Sequence, residues 1–116
     1  MKAFHYSAIK PEPSEGAPGA RIRWAIGKNV GAPNFVTRII EIEPGSATPY
    51  HQHPWEHEVF VLDGAGVVKT TAGETAIASR MCVYVAPDEE HQFVNTGSGV
   101  LRFLCIIPFA PWYKGE

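Results

Sequence analysis

No stretch of this chain repeats its apolar residues at a helical period, and that absence constrains the fold more than anything else in the sequence. Short β-rich runs recur instead between Gly, Pro, Asn and Asp: "ARIRWAIG", "NFVTRIIEIEPG", "HEVFVLDGAG", "GVVKTT", "ETAIAS", "MCVYVAPDEE", "HQFVNTGSG" and "VLRFLCIIP". Short strands separated by turn signals at this spacing predict an all-β barrel or sandwich of antiparallel strands. The "KPEPSEGAPGA" segment, residues 10–20, reads as a linker, and "FAPWYKGE" as an irregular tail. One domain is expected, with an N-terminal strand and linker over 1–20, a barrel over 21–108 and a tail over 109–116. A strand over 2–9 would need a pairing partner, so it is expected to add to a sheet edge in a homodimer.

At 116 residues, 45% of them hydrophobic, the chain is long enough for one real core. The opening "MKAFHYSAIKPEP" is interrupted by Lys2, His5, Lys10 and two prolines, so it reads as neither a signal peptide nor a membrane span. A cytoplasmic location without membrane contact is the expectation. Ten basic and twelve acidic residues give a formal charge of −2 without a basic cluster, which argues against nucleic acid as a partner. Cys82 and Cys105 lack metal-type spacing and are expected to be free thiols.

Alternation assigns faces in "NFVTRIIEIEPG". Val36, Arg38, Ile40 and Ile42 share one side, while Glu41 and Glu43 mark the other as the outer one. Arg38 therefore points inward, either paired with a carboxylate at the barrel rim or serving as an anion anchor in a pocket. In the last run Phe103, Cys105 and Ile107 alternate inward against Arg102.

The densest chemistry lies in "PYHQHPWEHEVFVLDGAG". His51 and His53 project from one face of an extended segment with Cα atoms roughly 6 to 7 Å apart, a reach that one metal ion can bridge. Pro54 is placed to turn the chain back, so a third donor at residue 57 or 58 would come from the start of the next strand. His91 opens a later run, with Phe93 and Asn95 on its own face, and is the fourth candidate. Imidazoles suit Mn, Fe, Co, Ni, Cu or Zn better than Mg or Ca. His5 stands apart and reads as a surface residue. Trp55 and Glu56 fall at the turn, where they would cover the site or face solvent.

The spacing Gly45, His51-x-His53, His57, Gly64 resembles the first motif of the cupin superfamily, and Pro87, His91, Asn95 resembles the second. The common cupin pattern has a glutamate three residues after the second histidine; this chain has His57. It looks like the small single-domain cupins whose metal is held by four histidines, with Glu58 as the competing fourth donor. That resemblance implies a cupin double-stranded β-helix, or jelly-roll barrel, and one divalent transition metal on His51, His53, His57 and His91. Four neutral imidazoles leave the ion its full charge and favour anionic ligands.

The expected function is a metal-dependent oxidoreductase of dioxygenase type, with Mn or Fe and with Zn, Ni, Co or Cu as other candidates. It would use dioxygen or a peroxide on a small apolar or aromatic substrate. Arg38 would anchor that substrate, and Trp55, Phe93, Phe103, Cys105 and Ile107 would line its pocket. The alternatives are a non-redox Lewis-acid isomerase, lyase or decarboxylase acting on a sugar or keto acid, with Glu56, Glu58 or Tyr84 as base, and a non-catalytic metal or small-ligand binding module.

Overall fold

A computed structural model describes residues 1–109 of the chain. Among the described residues nine antiparallel strands run in the order β1 (Glu12–Ser14), β2 (Ala17–Ile26), β3 (Phe35–Ile42), β4 (His57–Asp63), β5 (Ala65–Thr70), β6 (Gly73–Ala78), β7 (Cys82–Val85), β8 (His91–Asn95) and β9 (Leu101–Pro108). They form a six-stranded sheet, β1-β2-β3-β9-β4-β7, and a three-stranded one, β6-β5-β8. Each of the eight β-rich runs supplies one of the strands β2 to β9.

The sheets meet on the faces that alternation predicts. Val36, Ile40 and Ile42 of β3, Val59 and Val61 of β4, and Leu101, Phe103, Cys105 and Ile107 of β9 are buried against Val68, Ile77 and Phe93 of the smaller sheet. The Phe93 and Phe103 rings stack across the middle at 4.6 Å. Where β4 passes into β5, Gly64 has φ +90°, and a Cβ there would lie 2.6 Å from the Val100 carbonyl oxygen. Only glycine fits that corner.

Two expectations are corrected. The segment expected as a strand over 2–9 holds only a short 3-10 turn, Tyr6–Ala8, capped by the exposed His5. The paired N-terminal strand is β1, inside the stretch read as linker, and β2 already begins at Ala17. Of the expected tail, only Phe109 lies within the described residues; its N–H donates to the Asn34 carbonyl at 2.8 Å.

Glu41 adds a feature that alternation does not address. It lies on the outer face of β3 as expected, yet it is 1% exposed. Arg21 and Arg23 donate to one carboxylate oxygen at 3.0 and 3.1 Å, and Arg102 to the other at 2.7 Å. Tyr6 lies over this layer, with Arg23 and Arg102 at 5.0 and 5.4 Å from its ring centre, and Arg23 also donates to the Ile9 carbonyl. The N-terminal segment thus covers an ionic layer that a single-strand pattern cannot anticipate. Burial alone would raise the Glu41 carboxyl, but hydrogen bonds from Arg102 and Arg23 outweigh it and hold the group below the usual carboxylate range.

Candidate metal centre

The site forms where the 43–56 connection crosses back onto β8. His51 and His91 exchange backbone hydrogen bonds at 3.1 and 2.9 Å, so the two rings are neighbours because their main chains are paired. His53 follows two residues on. Its carbonyl accepts from the Asp88 N–H, and Pro54 then turns the chain towards β4. His57 opens β4 on the same inward parity as Val59 and Val61.

The four rings share one cavity. Centroids lie 4.2 Å apart for His51 and His53, 5.0 Å for His51 and His91, 5.2 Å for His53 and His57, and 4.8 Å for His57 and His91. One ring nitrogen from each of His51, His53 and His91 falls within 4.8 Å of the others, so these three could hold a metal ion. Neighbouring nitrogens bound to one ion at the usual 2.0–2.1 Å stand roughly 3 to 3.4 Å apart, so the rings would draw in by about an ångström on taking up a metal.

Protonation suits the same role. Burial depresses all four imidazoles, with His91 and Arg38 adding like-charge repulsion on His51, and Arg38 leading the repulsion on His57. His51 and His53 are pushed down to about 4 and His57 to about 2. All are neutral at pH 7, with a lone pair to give. The Glu89 carbonyl, 2.8 Å from His91 Nδ1, accepts that N–H and leaves Nε2 as the donor atom. His57 Nδ1 is buried with no hydrogen-bond partner, which a bound ion would explain.

A pH prediction follows with a definite sign. An unfolded histidine takes up its proton near pH 6.5, whereas the folded rings do so only near 4 or below. Stability of the metal-free protein is therefore complete above pH 6.5 and falls as the pH drops towards 4. Melting after chelation should show Tm lower by at least about 5 °C at pH 5 than at pH 7. A flat profile would contradict neutral buried rings.

Glu58 points the other way. It alternates with His57 and Val59, lies exposed on the outer face of the six-stranded sheet, and is removed as the competing donor; Glu56 is likewise exposed. Arg38 does reach the cavity. Its Nη2 donates to Cys105 Sγ at 2.9 Å, its guanidinium sits 5.6 Å from the Trp24 ring centre, and its Nε is buried without a partner. No carboxylate among the described residues pairs with it, which removes the rim ion-pair reading. Burial pushes the Cys105 thiol up, so it accepts from Arg38 as a neutral group.

The cavity measures about 50 Å³ and is lined by the four histidines with Arg38, Phe93, Phe103 and Cys105, as expected, and also by Ser14, Ile22, Ile40, Thr48 and Pro49. Ile107 is buried in the core and does not line it. Trp55 does not line it either; it stacks on the outer side of His53, rings 4.3 Å apart and 6° from parallel. Ser14 carried no signal in the sequence, whereas Thr48 and Pro49 lie just ahead of His51 in the histidine-rich stretch. Asn95 proves structural: its amide donates to the Ile42 and Gly99 carbonyls and its oxygen accepts from Gly97, closing the β8–β9 turn.

Two facing antiparallel sheets with converging histidines at one end define a class of small barrel whose histidine cluster could hold a metal ion. Residues 38–107 match the cupin domain family, more than half of the chain, and the protein belongs to that family. It is 30% identical over 69 residues to an oxalate-binding protein of Thermotoga maritima, a match covering 59% of this chain and 57% of that one. The chain thus spans little more than half the length of that relative. It is 25% identical over 107 residues to the tetracenomycin polyketide synthase protein TcmJ of Streptomyces glaucescens, covering 90% of this chain and 70% of that one. Its fold superposes on the polyketide cyclase RemF of Streptomyces resistomycificus with TM-score 0.87 and 29% identity, covering all of this chain and 88% of that one.

Proposed function

We propose that this protein is a mononuclear metal-dependent enzyme that binds an anionic oxygen of a small substrate, with oxidation by dioxygen or a peroxide as its reaction. His51, His53, His57 and His91 would hold the ion. When bound, it would supply Lewis acidity and, as Mn or Fe, a redox couple.

The observation that carries the reading is the lining itself: four neutral imidazoles face one guanidinium, and no carboxylate of the described residues lines the cavity. Arg38 places a fixed positive charge beside the histidines, with one N–H still unmatched, so an entering carboxylate or enolate gains a charge-assisted hydrogen bond there. Phe93, Phe103 and Ile40 keep that contact out of bulk water and strengthen it. The carboxylates and phenol that could serve as a general base, Glu56, Glu58 and Tyr84, all stand outside the cavity. Proton-abstraction chemistry is accordingly less well provided for than oxidation. At about 50 Å³ the cavity is a third of one that admits a benzene ring, so it takes the anionic end of a substrate, and an aromatic body would rest outside it.

Oxygen consumption by the Mn- or Fe-loaded protein across small carboxylic and enolic acids tests this, with the Zn-loaded protein inactive. Equal turnover with Zn would instead favour Lewis-acid ring closure or condensation, a second reading supported by the full-length likeness to a polyketide cyclase. Ligand retention without turnover would point to a binding module.

Arg38→Met should leave metal uptake unchanged while weakening binding of a small carboxylate by about tenfold to a hundredfold. Arg38→Lys should recover little, since a point charge does not reproduce the planar fork. Calorimetric titration of the loaded variants checks both, and unchanged affinity in Arg38→Met would remove the anchor.

A further inference from the structure

Arg38 is held differently from the arginines on the outer face of its own sheet. Arg21, Arg23 and Arg102 each donate to a carboxylate oxygen of Glu41. Arg38 faces inward from the middle of β3, and there the acceptor is a sulfur: Nη2 donates to Cys105 Sγ at 2.9 Å. Strand register sets this contact. Arg38 pairs with Trp24 on β2 and with Cys105 on β9, and Cys105 pairs in turn with Val59 on β4, so one cross-strand row crosses four strands. Residues directly opposed in such a row share a face, with Cβ atoms about 5 Å apart. The guanidinium is thus steadied by the Trp24 ring, whose centre is 5.6 Å away, and by the thiol.

The chemistry of that acceptor decides what the guanidinium can do. A carboxylate at position 105 would fix it equally well, but would cancel its charge and fill the fork that an entering anion needs. An aliphatic residue would leave the charge standing and the long side chain free to turn, so that the cost of ordering it would fall on the ligand. A buried thiol holds one N–H and cancels nothing. Cys105 is 1% exposed, and burial keeps its sulfur protonated and neutral. Of the five N–H donors of a guanidinium, one is engaged by Sγ, while Nε–H stays buried and unmatched in a side chain that lines the histidine cavity.

We propose that Cys105 is a positioning residue for anion binding, its sulfur holding the Arg38 guanidinium at the cavity wall before a ligand arrives. The inference rests on the reading of Arg38 as the anchor for the anionic end of a substrate, and adds the residue that keeps that anchor ready. The contribution of Cys105 passes through Arg38, so removing its sulfur matters only while the guanidinium is present.

Two measurements on the full chain test this. Calorimetric titration of the Zn-loaded protein with acetate should show binding weakened about fivefold in Cys105→Val and within about twofold of wild type in Cys105→Ser, whose hydroxyl restores the acceptor. In an Arg38→Met background, Cys105→Val should cost nothing further. An equal loss in both backgrounds would overturn the proposal, because Cys105 would then act by packing alone. The second measurement needs neither ligand nor ion. In protein carrying isotope-labelled arginine, the Arg38 Nη protons should give separate magnetic resonance signals, slow to rotate, in wild type and Cys105→Ser, and a single merged signal in Cys105→Val. Cys105→Ala removes the same acceptor should the valine variant not fold. Separate signals surviving in either variant would overturn the proposal. Acetate binding unchanged in Arg38→Met would sink the anchor reading alone, and merged signals would still assign the hold on the guanidinium to Cys105.

Discussion

Alanine at His91 is expected to abolish stoichiometric binding of a transition ion, lowering affinity well beyond the tenfold to hundredfold that changes around a metal's ligands cost. This ring stands among the other three, its Nδ1–H is held by the Glu89 carbonyl, and its Nε2 is left to bind. The informative companions are His57→Ala and Glu58→Ala. The first removes a buried ring that opens β4 inside the cavity; the second removes an exposed side chain on the opposite face of the same strand. Metal analysis after dialysis against Zn or Mn should show His57→Ala markedly depleted and Glu58→Ala at wild-type occupancy. Equal occupancy in both would leave a three-histidine centre.

Replacing Glu41 by alanine should destabilise the fold by about 3 kcal/mol, or roughly 12 °C in Tm, without touching the metal site. The carboxylate is 1% exposed and neutralises three guanidinium groups from two strands, β2 and β9, and Arg23 of that set also holds the cover formed by Tyr6 and Ile9. Without it Arg21 keeps Glu43 and Arg102 keeps Asp63, but Arg23 loses its only carboxylate among the described residues. Because the arginines are partly exposed, their charges can rehydrate, which places the estimate at the low end for a broken buried pair. Chemical denaturation of Glu41→Ala and Glu41→Gln would measure it. A change below about 1 kcal/mol would mean that the layer is ornamental to stability.

The strands and their inward faces were legible because alternation is a local property: four residues of β3 or β9 suffice to say which side a residue takes. That is why Arg38 and Cys105 could be aimed inward from the sequence, and why the structure brings them 2.9 Å apart across the β3–β9 pairing. The histidine constellation was legible for a related reason, since the spacing from 51 to 57 and the later run at 91 fix which rings share a face. What covers an outer face is not local. Glu41 could be assigned to the outer face but not to a buried ion layer, because its three arginines come from distant positions, and β1 was hidden in a Pro- and Gly-rich stretch whose pairing depends on β2. Ser14 reaches the cavity through that pairing, so nothing near it in sequence could announce it.

The reciprocal amide bonds between His51 and His91 have a mechanical corollary. The residues offered to the ion are also the stitch that fastens the 43–56 strap to the smaller sheet, so loading the site rivets a seam of the barrel. Hydrogen exchange should therefore slow at the amides of residues 51 and 91 on saturation with metal, while the far hairpin between β5 and β6 keeps its rate.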